Sequence, residues 1–169
     1  CLRPRKTLFV LPVGIMEDHG DHLPLGLDLN IAEALAQNLA ERIELELQGW
    51  KTVIMPSLAA GIDGNTRTWS FNIRGHVIRD WLIDSTLELR RQGFRWFVCV
   101  SGTDSPRQLT AIEEAGKWIS ARWGKWRRPS QAPATFLSYT SGEPRIRDFR
   151  LSWKSPFLPD PIEHGGKED

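Results

Sequence analysis

Residues 7–13 are apolar at almost every position, rich in Leu, Phe and Val, and constrain the fold more than any other stretch. A strand with one wet face alternates apolar and polar residues. A strand that is apolar throughout must be covered on both faces, as in a parallel sheet enclosed by helices. The rest of the chain supplies such helices. Asn30 with Glu33 reads as a capping box opening a helix whose apolar stripe is Ile31, Leu35, Leu39 and Ile43. Residues 51–55 form a second strand ended by Pro56. A long loop through Gly61 and Gly64 then leads to a second helix near residues 76–92, with Val77, Trp81, Leu82 and Leu89 on its apolar side and Gly93 closing it. Residues 94–100 read as a third strand. Ser105 followed by Pro106 opens a third helix that ends at Gly124, and residues 134–139 read as a fourth strand. Successive βα units of this kind give an α/β fold of three layers, α/β/α, around a mostly parallel central sheet.

In such a sheet the loops at the C-terminal ends of the strands hold the ligand. The first of these loops concentrates donor side chains: Glu17-Asp18-His19-Gly20-Asp21-His22-Leu23-Pro24-Leu25-Gly26-Leu27-Asp28. In extended chain, side chains two apart point the same way, so Glu17 and His19 reach toward one point and Asp28 folds back to meet them. Carboxylate plus imidazole suits Zn, Mn or Fe, and such ions generate hydroxide and polarise carbonyls. The alternative is a solvated turn in which Asp28 or Asn30 only caps the following helix. The loops over residues 57–74 and 101–107 leave the same sheet edge. Asn65, Arg67, Trp69 and Phe71 of the first are candidates to line a pocket or to touch a second copy of the chain.

The order L-P-V-G, then E-x-H-G-x-H-L-P-L-G-x-D, resembles the signature of the creatininase (creatinine amidohydrolase) family. Two further segments follow in the family's order. Residues 91–102, Arg-Gln-Gly-Phe-Arg-Trp-Phe-Val-Cys-Val-Ser-Gly, resemble its helix end, turn and central strand, and Pro161-Ile162-Glu163-His164-Gly165-Gly166 resembles its I-E-H-G-G segment. The resemblance implies a metal-dependent hydrolase of small cyclic or linear amides. It implies Glu17, His19 and Asp28 as ligands of one or two divalent ions (Zn, Mn or Fe), and Glu163 and His164 as the proton-transfer pair. It also implies a homo-oligomer, by family habit a hexamer.

The chain departs from the family at the site. Thr103 stands where the family carries a ligating histidine, and Ser105 where creatininase carries a glutamate. Lys167 occupies the position of an alternative glutamate ligand, Phe71-Asn72-Ile73-Arg74 replaces F-P-G-T, and Asp160 replaces an aromatic residue. Asp104, one residue out of register, is the candidate fourth ligand of a single-metal site that leaves a position open for water. Two functions follow from this pattern. One is an amidohydrolase acting on a small amide; the other is a catalytically degenerate relative serving as an assembly or ligand-binding subunit.

At 169 residues and 40% apolar content the chain is expected to form one domain over residues 1–169, lacking family segments at one or both ends. Its net charge of +1, with both signs interspersed, argues against nucleic acid or an anionic membrane as the main partner. The basic cluster Arg122, Lys125, Arg127 and Arg128 reads as a solvated helix end. Cys1 and Cys99 are too far apart to indicate a disulfide framework, and Cys99 is expected in the core. No stretch reaches the roughly 18 apolar residues of a membrane helix, and no signal segment opens the chain, so a cytoplasmic protein is expected. Of eight tryptophans, Trp81, Trp96 and Trp118 are expected in the core, while residues 123–128 and 145–153 are candidate oligomer contacts.

Overall fold

The apolar first strand, β1 (Thr7–Gly14), is buried at every residue and lies at the centre of the sheet. The computed structural model describes residues 2–125 and 135–140, with side chains from residue 2 to residue 121. Within them β1 is followed by α1 (Leu27–Glu46), β2 (Lys51–Ile54), β3 (Leu58–Ala59), α2 (Gly75–Arg91), β4 (Trp96–Ser101), α3 (Pro106–Lys125) and β5 (Thr135–Thr140). All strand pairings are parallel, in the order β2-β1-β4-β5. The two-residue β3 pairs with the C-terminal end of β1, on from the stretch that pairs with β2. Pro56, which has no N–H to donate to a ladder, lies in the break between them.

Alternation along β1 and β4 sorts the core into two halves. Leu8, Val10, Val98 and Val100 face α1, which packs on them through Ala36, Leu35, Leu39 and Ile43. Phe9, Leu11, Val13, Phe97 and Cys99 face the other way. There they meet Ile78, Leu82 and Ile83 of α2 and Ile112, Ala115 and Ile119 of α3. The expected three-layer α/β/α architecture is therefore present. Cys99 is fully buried, and burial pushes its thiol well above the usual range, so it is an inert core residue. Among the described residues no helix is long and apolar enough to cross a membrane.

Three details correct the reading from sequence. Helix α1 starts at Leu27, not near Asn30; its N-cap is Gly26 without a side-chain cap bond, so the Asn30–Glu33 capping box does not form. Asp28 consequently sits in the first turn of the helix, where a negative charge is favoured by the helix dipole. Trp118 is 36% exposed, because Ile112, Ala115 and Ile119 form the inward stripe of α3. Trp81 and Trp96 do pack against the two core clusters. Val77, expected on the apolar side of α2, is 41% exposed, because Ile78, Leu82 and Ile83 face the core; the spans of α2 and α3 follow expectation, with Ser105 Oγ accepting the Gln108 N–H at 3.4 Å at the head of α3.

Two glycines seat α1 on the sheet. A β-carbon built on Gly14 would lie 2.5 Å from Leu29 Cα, and one on Gly102 would overlap the carbonyl oxygen of Asp28. Only a residue without a side chain at the ends of β1 and β4 lets the first turn of the helix approach this closely. The approach places Asp28 over the crevice between β1 and β4. There the connections diverge, β1 leading to β2 on one side while β4 lies on the other, which is the switch point at which open α/β sheets bind ligands.

Candidate metal centre

Beyond Gly14 the chain stays extended because both of its edges are held. Phe71 N–H donates to the Met16 carbonyl at 2.7 Å, and Glu17 N–H donates to the Leu25 carbonyl at 3.0 Å. Glu17 and His19 therefore project to the same side, as their spacing predicts. His19 Nε2 lies 3.4 Å from Glu17 Oε1 and 3.4 Å from Asp28 Oδ1, and donor atoms of all three residues fall within 4.8 Å of one another. The expected trio of Glu17, His19 and Asp28 thus converges.

The other candidates of the same loop do not join it. Asp18 turns back to accept the Gly20 N–H at 2.7 Å, and Asp21 and His22 are exposed. Asp104 is exposed and outside the converging group, although its charge reaches Asp28. Glu163, His164 and Lys167, with residues 126–128 and 145–153, lie outside the described residues.

Glu17 and His19 are each oriented by a second bond. His19 Nδ1 lies 3.1 Å from the Glu17 carbonyl oxygen, which can only accept, so Nδ1 donates there and Nε2 is turned toward the carboxylates. Glu17 Oε2 accepts the Asn65 backbone N–H at 2.9 Å. The side chain of Asn65 is pinned in turn. It donates to the Asp18 carbonyl at 2.5 Å and accepts from Ser70 Oγ at 2.6 Å and from the Arg67 N–H at 3.0 Å. Asp28 is placed by the first turn of α1, and the Thr103 side chain favours its charged form. One imidazole nitrogen and two carboxylate oxygens converging on one space form a donor set that fits a borderline divalent ion.

Burial, reinforced by the charge of Glu17, raises the Asp28 carboxyl above its ordinary range, against the opposing pull of His19 and Thr103. The consequence for stability can be signed. The folded state holds this proton more tightly than the unfolded chain, so stability falls as pH rises from the ordinary carboxylate value through the raised one. Above the raised value the full penalty is present in metal-free protein. Asp28→Asn is therefore expected to stabilise the metal-free protein at pH 7 by about 1 kcal/mol, the usual trade when a functional charge is removed. The gain should vanish below the ordinary carboxylate pKa. Thermal melts in chelator at pH 7 and pH 3 check this, and an equal gain at both would show that charge is not the cause.

Sequence reading missed the parts played by Asn65 and Thr103, which it took for a pocket-lining residue and a lost ligand. Trp69 and Phe71, by contrast, are 76% and 64% exposed, and Trp69 has φ of 73°, an unusual backbone for a bulky residue. The broad surface grooves run elsewhere, between α2 and α3 beside Asp80, Asp84 and Trp118 and near His76 and Arg107. They carry no converging donors, and the trio at the switch point is the stronger candidate.

The family profile of creatininase, creatinine amidohydrolase, matches residues 2–153. The chain belongs to the creatininase family. It is 28% identical over 166 residues to the creatinine amidohydrolase of Pseudomonas putida, a match covering 94% of this chain and 60% of that relative. Among solved structures it is similar in fold to the manganese form of creatininase, with TM-score 0.61 and 23% identity over 80% of this chain and 51% of that one. It is equally similar to a glutamate-to-glutamine creatininase variant of Zn–Zn type, with TM-score 0.61 and 23% identity over 80% of this chain and 50% of that one. The chain thus spans between half and three-fifths of the length of these creatininase relatives.

Proposed function

We propose that this creatininase-family chain carries the metal centre of an amidohydrolase that cleaves the C–N bond of a small cyclic or linear amide. The observation that carries the reading is the convergence of Glu17, His19 and Asp28, each pre-oriented, at the switch point of the sheet. Zn, Mn or Fe suits these ligands, and the manganese and Zn–Zn forms of the creatininase relatives agree with that choice. A bound divalent ion would polarise the amide carbonyl and lower the pKa of water.

The chain's own residues have separable tasks. Glu17 and Asp28 neutralise the positive charge, and His19 contributes a neutral donor that leaves the centre electrophilic. The trio's partial exposure, 23% at the His19 side chain and 17% at Glu17, leaves room for water and a small substrate. An amide nitrogen leaves only when protonated, so a proton must travel from the attacking water to that nitrogen. By resemblance, Glu163 and His164 are the proposed carriers. The alternative of a catalytically silent assembly subunit is not favoured, because Glu17, His19 and Asp28 still converge.

The test is hydrolysis of creatinine and of related cyclic and linear amides by protein loaded with Zn2+ or Mn2+. Turnover should disappear with chelator and return when the ion is restored. Fully loaded protein that turns over none of these amides would overturn the enzymatic reading and leave the assembly role.

A further inference from the structure

Gln108, in the first turn of α3, is fully buried, which is costly for an amide unless both of its ends are bonded. Both are. Its Oε1 accepts the Ile62 N–H at 3.1 Å, and its Nε2 donates to Ser101 Oγ at 3.1 Å. The Ile62 N–H can only donate, which fixes the end of the amide that carries oxygen. Ser101 is equally buried, and its hydroxyl extends the link by donating to the Thr103 carbonyl at 2.8 Å.

The two segments joined by this amide are those on which the metal centre leans. Three residues past Ile62, the Asn65 N–H donates to Glu17 Oε2 at 2.9 Å. The chain around them has no slack. A β-carbon on Gly61 would lie 2.3 Å from Ile15 Cβ and 2.8 Å from Gln108 Oε1, and one on Gly64 would lie 2.5 Å from Ile15 Cδ1 and 3.1 Å from Glu17 Oε2. On the other side, Gly102 stands between Ser101 and Thr103, its N–H bonded to the Val13 carbonyl at 3.0 Å, and it is the seat on which the Asp28 backbone packs. One side chain of a helix that carries none of the trio thus spans the support of Glu17 and the seat of Asp28. Holding α3 on the sheet does not require it, because Ile112, Ala115 and Ile119 already do so. A satisfied buried amide instead fixes two backbone segments in one arrangement.

We propose that Gln108 is a positioning residue of the metal centre, setting the support of Glu17 against the seat of Asp28. The proposal rests on the metal-centre reading above.

Calorimetric titration of the metal-free chain with Mn2+, beside thermal melts in chelator, tests it. Gln108→Met, close in volume but unable to form either bond, should weaken Mn2+ binding by about 10-fold or more, as loss of the hydrogen bonds that support metal ligands does. Ser101→Ala, which removes only the hydroxyl, should weaken it in the same direction. The double variant should lose less than the product of the two single losses, because both cut one link. Ile119→Val, further along α3 in the core, is the control for stability: it should lower the melting temperature and keep parental Mn2+ affinity. Parental affinity in both Gln108→Met and Ser101→Ala, whatever their melting temperatures, would overturn the positioning role and leave the metal centre standing. If Gln108→Met does not fold, Ser101→Ala against the control decides by the same criterion. A parent chain that takes up no Mn2+ would overturn the metal-centre reading and this proposal with it.

Discussion

Replacing His19 by alanine is expected to abolish metal uptake while leaving the fold intact. The imidazole is held by a loop, not by the core, and its ring touches only Glu17 and Asp28 among the charged groups described. Its removal deletes the neutral donor and leaves two carboxylates facing a gap. Loss of an outer-shell partner alone costs 10- to 100-fold in affinity, so loss of this donor should cost about 100-fold or more. Stability should change little, because surface-loop substitutions usually fall within about 0.5 kcal/mol. Calorimetric titration with Zn2+ and Mn2+, beside circular dichroism of the metal-free protein, separates the two effects. An unfolded variant, or one that binds the ion with parental affinity, would refute the assignment.

The sheet and its helices were legible because their physics is local. Leu8 to Val13 are apolar on both faces, which demands cover on both sides, and the stripes Leu35–Leu39–Ile43 and Trp81–Leu82–Leu89 lie at helical spacing. What escaped was set by packing. The start of α1 carries no polar cap, only Gly26, so nothing near it announces that the helix begins at Leu27. The two-residue β3 is too short to have a period, and it exists because β1 offers unpaired edge beyond β2.

The site divides along the same line. Glu17 and His19 could be paired from an interval of two in extended chain, and that inference needed no tertiary information. Asp28 could be added through the family resemblance, and the helix that begins at Leu27 explains how it comes within reach. The role of Asn65 could not be assigned, because its partner Glu17 is 48 residues away in sequence and the contact is a single hydrogen bond. Reading Thr103 only as an absent histidine hid what a hydroxyl can do there. Its side chain favours the charged form of Asp28.

Gly102→Ala should be the most damaging small substitution among the described glycines. The new methyl group would overlap the Asp28 carbonyl oxygen and come within 3.0 Å of the Ala32 nitrogen, both backbone atoms of α1 that cannot rotate away. The helix would have to lift from β4, which opens the cluster of Val98, Val100, Ala36 and Leu39 and carries Asp28 away from His19. Overpacking of this kind costs about 1–3 kcal/mol before any loss of burial is counted, and the displaced helix adds to it. The expected result is a loss of about 3 kcal/mol or more in urea unfolding, together with loss of metal binding. Gly26→Ala is the matched control. Its methyl would meet only Met16 Sδ at 4.0 Å, so a change below about 1 kcal/mol is expected even though it caps the same helix. Equal effects of the two substitutions would mean that close approach of α1 to the sheet is not what places Asp28 at the centre.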